Sequence, residues 1–171
     1  MVNNIQRSAS LFLVKNIFSF LLSLFSVVFM MSYPLRPSQI SLISMFTIGI
    51  PGFFLAFQPN KDVIKGHFLT NVVLKALPAG LTDVLAVAAM AVFGQTFGLG
   101  ETDISTAGTM LLAIVGFMIL FKICEPFNWL RGCVWVGSVI GLLGCSIFLP
   151  KLFAITGMST KCIMLFVVFS I

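Results

Sequence analysis

The chain has 171 residues, of which 59% are hydrophobic and only 9% charged, and its formal net charge is +5. A soluble globular domain carries roughly 25% charged residues, so this composition, with 19 Phe and nine Met, excludes a water-soluble core. The mean hydropathy of +1.13 agrees. Six spans of about 20 residues each would use nearly the whole length, which predicts an all-α integral membrane bundle of six transmembrane helices with no soluble domain.

The first helix is expected over about residues 3–31, around an apolar run from Leu11 to Met31. Arg7 precedes this run, but the run is longer than a signal-peptide core and no small-residue cleavage site follows it. Asn16, Ser19, Ser23 and Ser26 recur at spacings of three and four, which places them on one helix face. That face is expected to turn toward other helices or toward water, and hydrogen bonding between helices accounts for it without any transport. Lys15 lies just inside the apolar run. It either snorkels to the interface on its long stem or stands as a fixed charge lining an ion pathway.

The polar stretch Ser32 to Ser38, with Pro34 and Pro37, separates the first helix from a second over about 39–57. Here Ser41, Ser44 and Thr47 again recur every third residue. Pro51 has no N–H, so the carbonyl four residues back, on Thr47, loses its donor. Gly49 and Gly52 ease unwinding. A helix broken at Gly49-Pro51-Gly52 is therefore expected, and such breaks build ion sites from freed carbonyls when they face protein or a watery cavity. A plain proline kink is the alternative.

Gln58 to Asn71 is the most polar stretch and holds the single histidine, His67. A third helix is expected over about 72–93. It carries Asp83, the one acidic residue well inside a span, which could bind a cation, pair with Lys15, or stay protonated and silent. A Gly-rich acidic loop, Gln95 to Ser105, leads to helices over about 106–121, 132–149 and 153–171, with a short turn from Lys122 to Arg131 between the first two. Cys124, Cys133, Cys145 and Cys162 form no C-x-x-C pair and read as packing residues. There is no phosphate-binding glycine loop, no His/Cys metal cluster and no nucleophile with a base, so no catalytic residue and no certain metal site can be assembled.

The basic residues cluster at the ends of apolar runs, which points to membrane topology and not to nucleic acid. With the N-terminus inside, Arg7, Lys61, Lys65, Lys75, Lys122 and Arg131 lie inside, and only Arg36 and Lys151 outside. The excess of Lys and Arg on one side predicts both termini in the cytoplasm.

Several of these residues also carry a resemblance. Val2-Asn3-Asn4-Ile5, then Lys15-Asn16-Ile17, then Pro37 to Pro59 (PSQISLISMFTIGIPGFFLAFQP, with Gln39, the T-x-G-x-P core Thr47, Gly49 and Pro51, and Phe57-x-Pro59) are similar to cation-transporting P-type ATPases. So, more weakly, are Pro150, Phe153-Ala154-Ile155-Thr156 and Thr160. The chain resembles their C-terminal membrane half, the fifth to tenth membrane helices, in the calcium-pump-like branch of the haloacid-dehalogenase type. The resemblance implies a membrane transport domain of an ATP-driven pump, with its first two helices lining the ion pathway. The pathway candidates are Lys15, Asn16, Ser19, Ser44, Thr47 and Asp83, with the helix break at Gly49, Pro51 and Gly52.

Calcium pumps in this family place acidic or amide ligands where this chain has Ser19, Ser44 and Ile48, and gastric-type proton pumps place a lysine where Lys15 stands. The transported ion is therefore open. The implied partners are the lipid bilayer, an inorganic cation, and an upstream half of the same ATPase with the first four membrane helices and the cytoplasmic domains. ATP and magnesium would bind in the complete pump and not here. The phosphorylation, nucleotide-binding and actuator motifs are not in these residues, so a fragment or split product in the plasma membrane is expected, unable to hydrolyse ATP alone. A stand-alone membrane scaffold, or a passive or secondary transporter, is the alternative.

Overall fold

The computed structural model describes residues 2–56, 68–124, 128–155 and 157–170. Every regular element among them is helical: α1 (Val2–Val28), α2 (Pro37–Ser44), a π-helical turn (Met45–Gly49), α3 (Ile50–Ala56), α4 (Phe68–Thr96), α5 (Glu101–Cys124), α6 (Trp129–Phe148) and α7 (Thr160–Ser170). Helices satisfy their backbone polar groups internally, which hydrocarbon demands. Four stretches are long and apolar enough to cross a bilayer: Pro37–Leu55, Leu77–Thr96, Glu101–Lys122 and Trp129–Phe148. Phe12–Val28 and Thr160–Ser170 are shorter apolar helices, and the whole is a helical membrane bundle.

Three boundaries differ from the sequence expectation. The acidic residues Glu101 and Asp103 belong to the first turn of α5 and not to a loop, because carboxylates are favourable at the positive end of a helix. The preceding turn is short: Gly98 takes a left-handed conformation (φ 69°), and Leu99 N–H bonds back to the Gly94 carbonyl at 2.9 Å. At the other end of the chain, the helix expected from residue 153 begins only at Thr160. Ala154 is left-handed there (φ 52°) and Ile155 N–H bonds to the Pro150 carbonyl at 2.9 Å, a closed turn that stops helical propagation. α1 ends in the same way, with Met30 at φ 51° and Met31 N–H on the Ser26 carbonyl at 3.0 Å. The expected polar loop falls mostly on residues 57–67, and Glu125 and Pro126 of the expected short turn on 125–127, all outside the described residues. Asn128, the next residue, caps α6 by accepting from Trp129 N–H at 3.2 Å.

α1 packs mainly on α4, and α4 on α5. The contact of α1 with α4 is close because Gly80 carries no side chain: a Cβ there would lie 2.9 Å from Ile17 Cγ2. Between these helices and the second span lies a core of Phe18, Leu22, Leu42, Ile43, Phe46, Val84, Val87 and Leu112. In a membrane such a core gains from close van der Waals packing rather than from expulsion of water.

The N-terminal end of α2 is pinned by one residue. Gln39 is fully buried. Its Oε1 accepts from the Arg36 backbone N–H at 2.9 Å and from the Ser105 hydroxyl at 2.5 Å, and its Nε2 donates to the Ala154 carbonyl at 3.0 Å. One amide thus caps α2 and ties it to α5 and to the turn before α7.

Candidate functional site

The second span does not unwind at Gly49-Pro51-Gly52. It widens instead: Met45–Gly49 form a π turn, and Ile50 N–H bonds to the Met45 carbonyl, five residues back. The expected break therefore takes the form of a continuous but locally widened helix. An open break would strand several backbone groups in hydrocarbon. A π turn keeps nearly all of them paired while absorbing the missing N–H of Pro51.

Two glycines on neighbouring helices make room for the wider turn. A Cβ at Gly116 of α5 would come within 3.0 Å of Thr47 Cγ2. A Cβ at Gly141 of α6 would collide with the Phe46 ring. Within the span, Ser44 donates its hydroxyl hydrogen to the Ile40 carbonyl at 2.6 Å, and Thr47 donates to the Ile43 carbonyl at 2.8 Å. Both hydroxyl oxygens then keep their lone pairs as acceptors.

These acceptors face a cavity of about 40 Å³ bounded by α1, the second span, α4 and α5. Its polar lining is Lys15, Ser44, Thr47 and Asp83; Phe18, Ile43, Leu112 and Gly116 are among its apolar walls. Asp83 is only 3% exposed, and among the described residues nothing hydrogen-bonds its Oδ1. Polar groups buried in this way are ordinarily paired, and this oxygen on the cavity wall is open to accept a bond. Lys15 is half-buried on the same cavity.

Four of the six sequence candidates thus meet in one place, and two do not. Asn16 is exposed and Ser19 does not line the cavity; the Ser19 hydroxyl instead hydrogen-bonds Tyr33, a residue outside the spans whose burial pushes its pKa upward. The reason is the helix stripe. Among the described side chains of α1 the buried positions are Val14, Phe18, Leu22 and Ser26, spaced by four, and Asn16 lies about 200° around the helix from Val14. The polar set of α1 therefore does not face the bundle as one: Ser26 is buried, while Asn16 and Ser23 are exposed.

Sequence reasoning missed the α5 wall. Gly116 sits in a uniformly apolar run, and only its small size hinted at a close neighbour. It also missed Ser105 as the partner of Gln39. Among the described residues no cluster of three His, Cys, Asp or Glu side chains is placed to hold a metal.

No known family model matches the sequence. Curated proteins do. The chain is 35% identical over 167 residues to a probable cation-transporting ATPase of Streptococcus pneumoniae, a match covering 93% of this chain and 21% of that protein. It is 30% identical over 144 residues to a calcium-transporting ATPase of Mycolicibacterium smegmatis, covering 76% of this chain and 18% of the other. A calcium-transporting ATPase of Mycobacterium bovis matches at 32% over 146 residues, with the same coverage of 76% and 18%. The chain thus spans about a fifth of the length of the curated relatives it matches.

Proposed function

We propose that this chain, homologous to a segment of the cation-transporting ATPases, forms the ion-path part of the membrane domain of a P-type pump. The cavity where Ser44 and Thr47 of the second span meet Lys15 of α1 and Asp83 of α4 is the observation that carries this reading. It offers hydroxyl and carboxylate oxygens beside a π turn, and π turns recur at functional sites. An inorganic cation is the cargo. ATP with magnesium supplies the driving energy at parts of the pump beyond this chain, which also provide its protein partners. The homology over 93% of the chain favours this reading over a stand-alone scaffold or a passive or secondary transporter.

The pump sits in the plasma membrane, and the excess of Lys and Arg on one side supports both termini in the cytoplasm. The test is cation-stimulated ATPase activity of the complete pump containing this chain. Ser44→Ala with Thr47→Val removes two oxygen acceptors and should weaken cation activation on the order of tenfold, about 1.4 kcal/mol. Unchanged activation by cation would refute the assignment of the path.

A further inference from the structure

The second span holds no acidic residue, so a path built on α1 and the second span alone has no negative charge of its own to offer a cation. A carboxylate comes from a third element. Asp83 on α4 is almost wholly buried, lines the same cavity, and has an oxygen with no hydrogen-bond partner among the described residues. Opposite it, Ser44 and Thr47 have each spent their hydroxyl hydrogen on a helix carbonyl, which leaves their oxygens free to accept. The side-chain oxygens on offer are therefore two hydroxyls and one carboxylate.

The cavity also fixes how much charge it can take. Calcium takes six to eight oxygens, typically with several carboxylates. Here there is one carboxylate, and the Lys15 side chain lines the same wall. A cavity of about 40 Å³ has room for an ion with roughly one or two waters and no more. We infer that Asp83, Ser44 and Thr47 form a subsite for one monovalent cation, with Asp83 supplying the one negative charge that balances it. This rests on the ion-path reading above, and it departs from the calcium named for two of the relatives.

The test is direct binding of radiolabelled rubidium, sodium and calcium to the complete pump containing this chain in lipid nanodiscs, with helicity and thermal stability checked for each variant. The unsubstituted pump should bind a monovalent cation saturably and calcium more weakly. Asp83→Asn keeps the shape, removes the charge and should weaken monovalent binding on the order of tenfold or more, whereas Asp83→Glu should keep part of it. Lys15→Met removes a like charge from the cavity wall and should tighten monovalent binding. Absence of saturable monovalent binding, preference for calcium, or unchanged affinity in Asp83→Asn overturns the inference. If Thr47→Val weakens binding and Asp83→Asn does not, the ion path stands and this subsite falls; if neither weakens it, both fall.

Discussion

Replacing Gln39 by Leu removes the single side chain that ties the second span to α5 and to the turn before α7, while keeping the buried volume nearly constant. Three groups lose a partner: the Ser105 hydroxyl, bonded at 2.5 Å, the Ala154 carbonyl, bonded at 3.0 Å, and the Arg36 N–H, bonded at 2.9 Å. An unsatisfied buried polar group costs about 1–3 kcal/mol. Arg36 is exposed, so water can replace its bond. Ser105 and Ala154 remain, and the expected loss is about 3 kcal/mol. For a chain of this size that is a fall in Tm of about 6–12 °C, followed by Trp fluorescence in detergent. Ser105→Ala alone should cost about 1 kcal/mol, and the double variant should cost less than the sum, because the two residues share one bond. A loss below about 0.5 kcal/mol for Gln39→Leu, or strictly additive effects, would refute the clamp.

Met30 is 96% exposed and left-handed at φ 51°, a conformation that disfavours any side chain by roughly 1–2 kcal/mol. Met30→Gly should therefore raise stability by about 1 kcal/mol in the same thermal assay; a fall would show that the turn is held by something other than local conformation. Trp135 donates its indole N–H to the Phe117 carbonyl at 3.0 Å and meets the Phe117 and Phe121 rings edge-on, so Trp135→Phe should lose about 1 kcal/mol, read by chemical unfolding. Gly116→Val would push a branched side chain against Thr47, overpacking by about 1–3 kcal/mol. In the complete pump proposed above, cation-dependent ATPase activity should fall on the order of tenfold while α-helical content by circular dichroism stays the same.

The helical bundle was legible because hydrocarbon allows so few backbone solutions that composition alone nearly decides the class. Thr47, Pro51 and Gly49 also marked the irregular turn, since a missing N–H and a missing Cβ are local facts of the sequence. The form of that irregularity was not legible. Whether a helix opens or widens depends on what packs beside it, here Gly116 and Gly141, which are distant in sequence. The same limit explains α1. The i, i+3, i+4 spacing of Asn16, Ser19, Ser23 and Ser26 correctly describes one side of a helix, but the side that faces inward was set by the competing stripe of Val14, Phe18 and Leu22. Likewise, Glu101 and Asp103 looked like loop residues because they are acidic, when their charge is what starts α5.

The π turn also changes how this chain should be lined up with its homologues. A π turn holds one residue more than the α-helical turn it replaces, so every side chain after Gly49 is rotated by about 100° from where an uninterrupted helix would carry it. Leu55 is consequently 2% exposed and Phe54 47% exposed; deleting one residue between 45 and 49 would restore an ordinary α turn and leave both facing as they do. A single-residue gap therefore belongs within Met45–Gly49 when the comparison is with an uninterrupted helix. At this point of the chain a one-residue deletion removes the wide turn seated against Gly116 and Gly141 while the helix beyond it keeps its register.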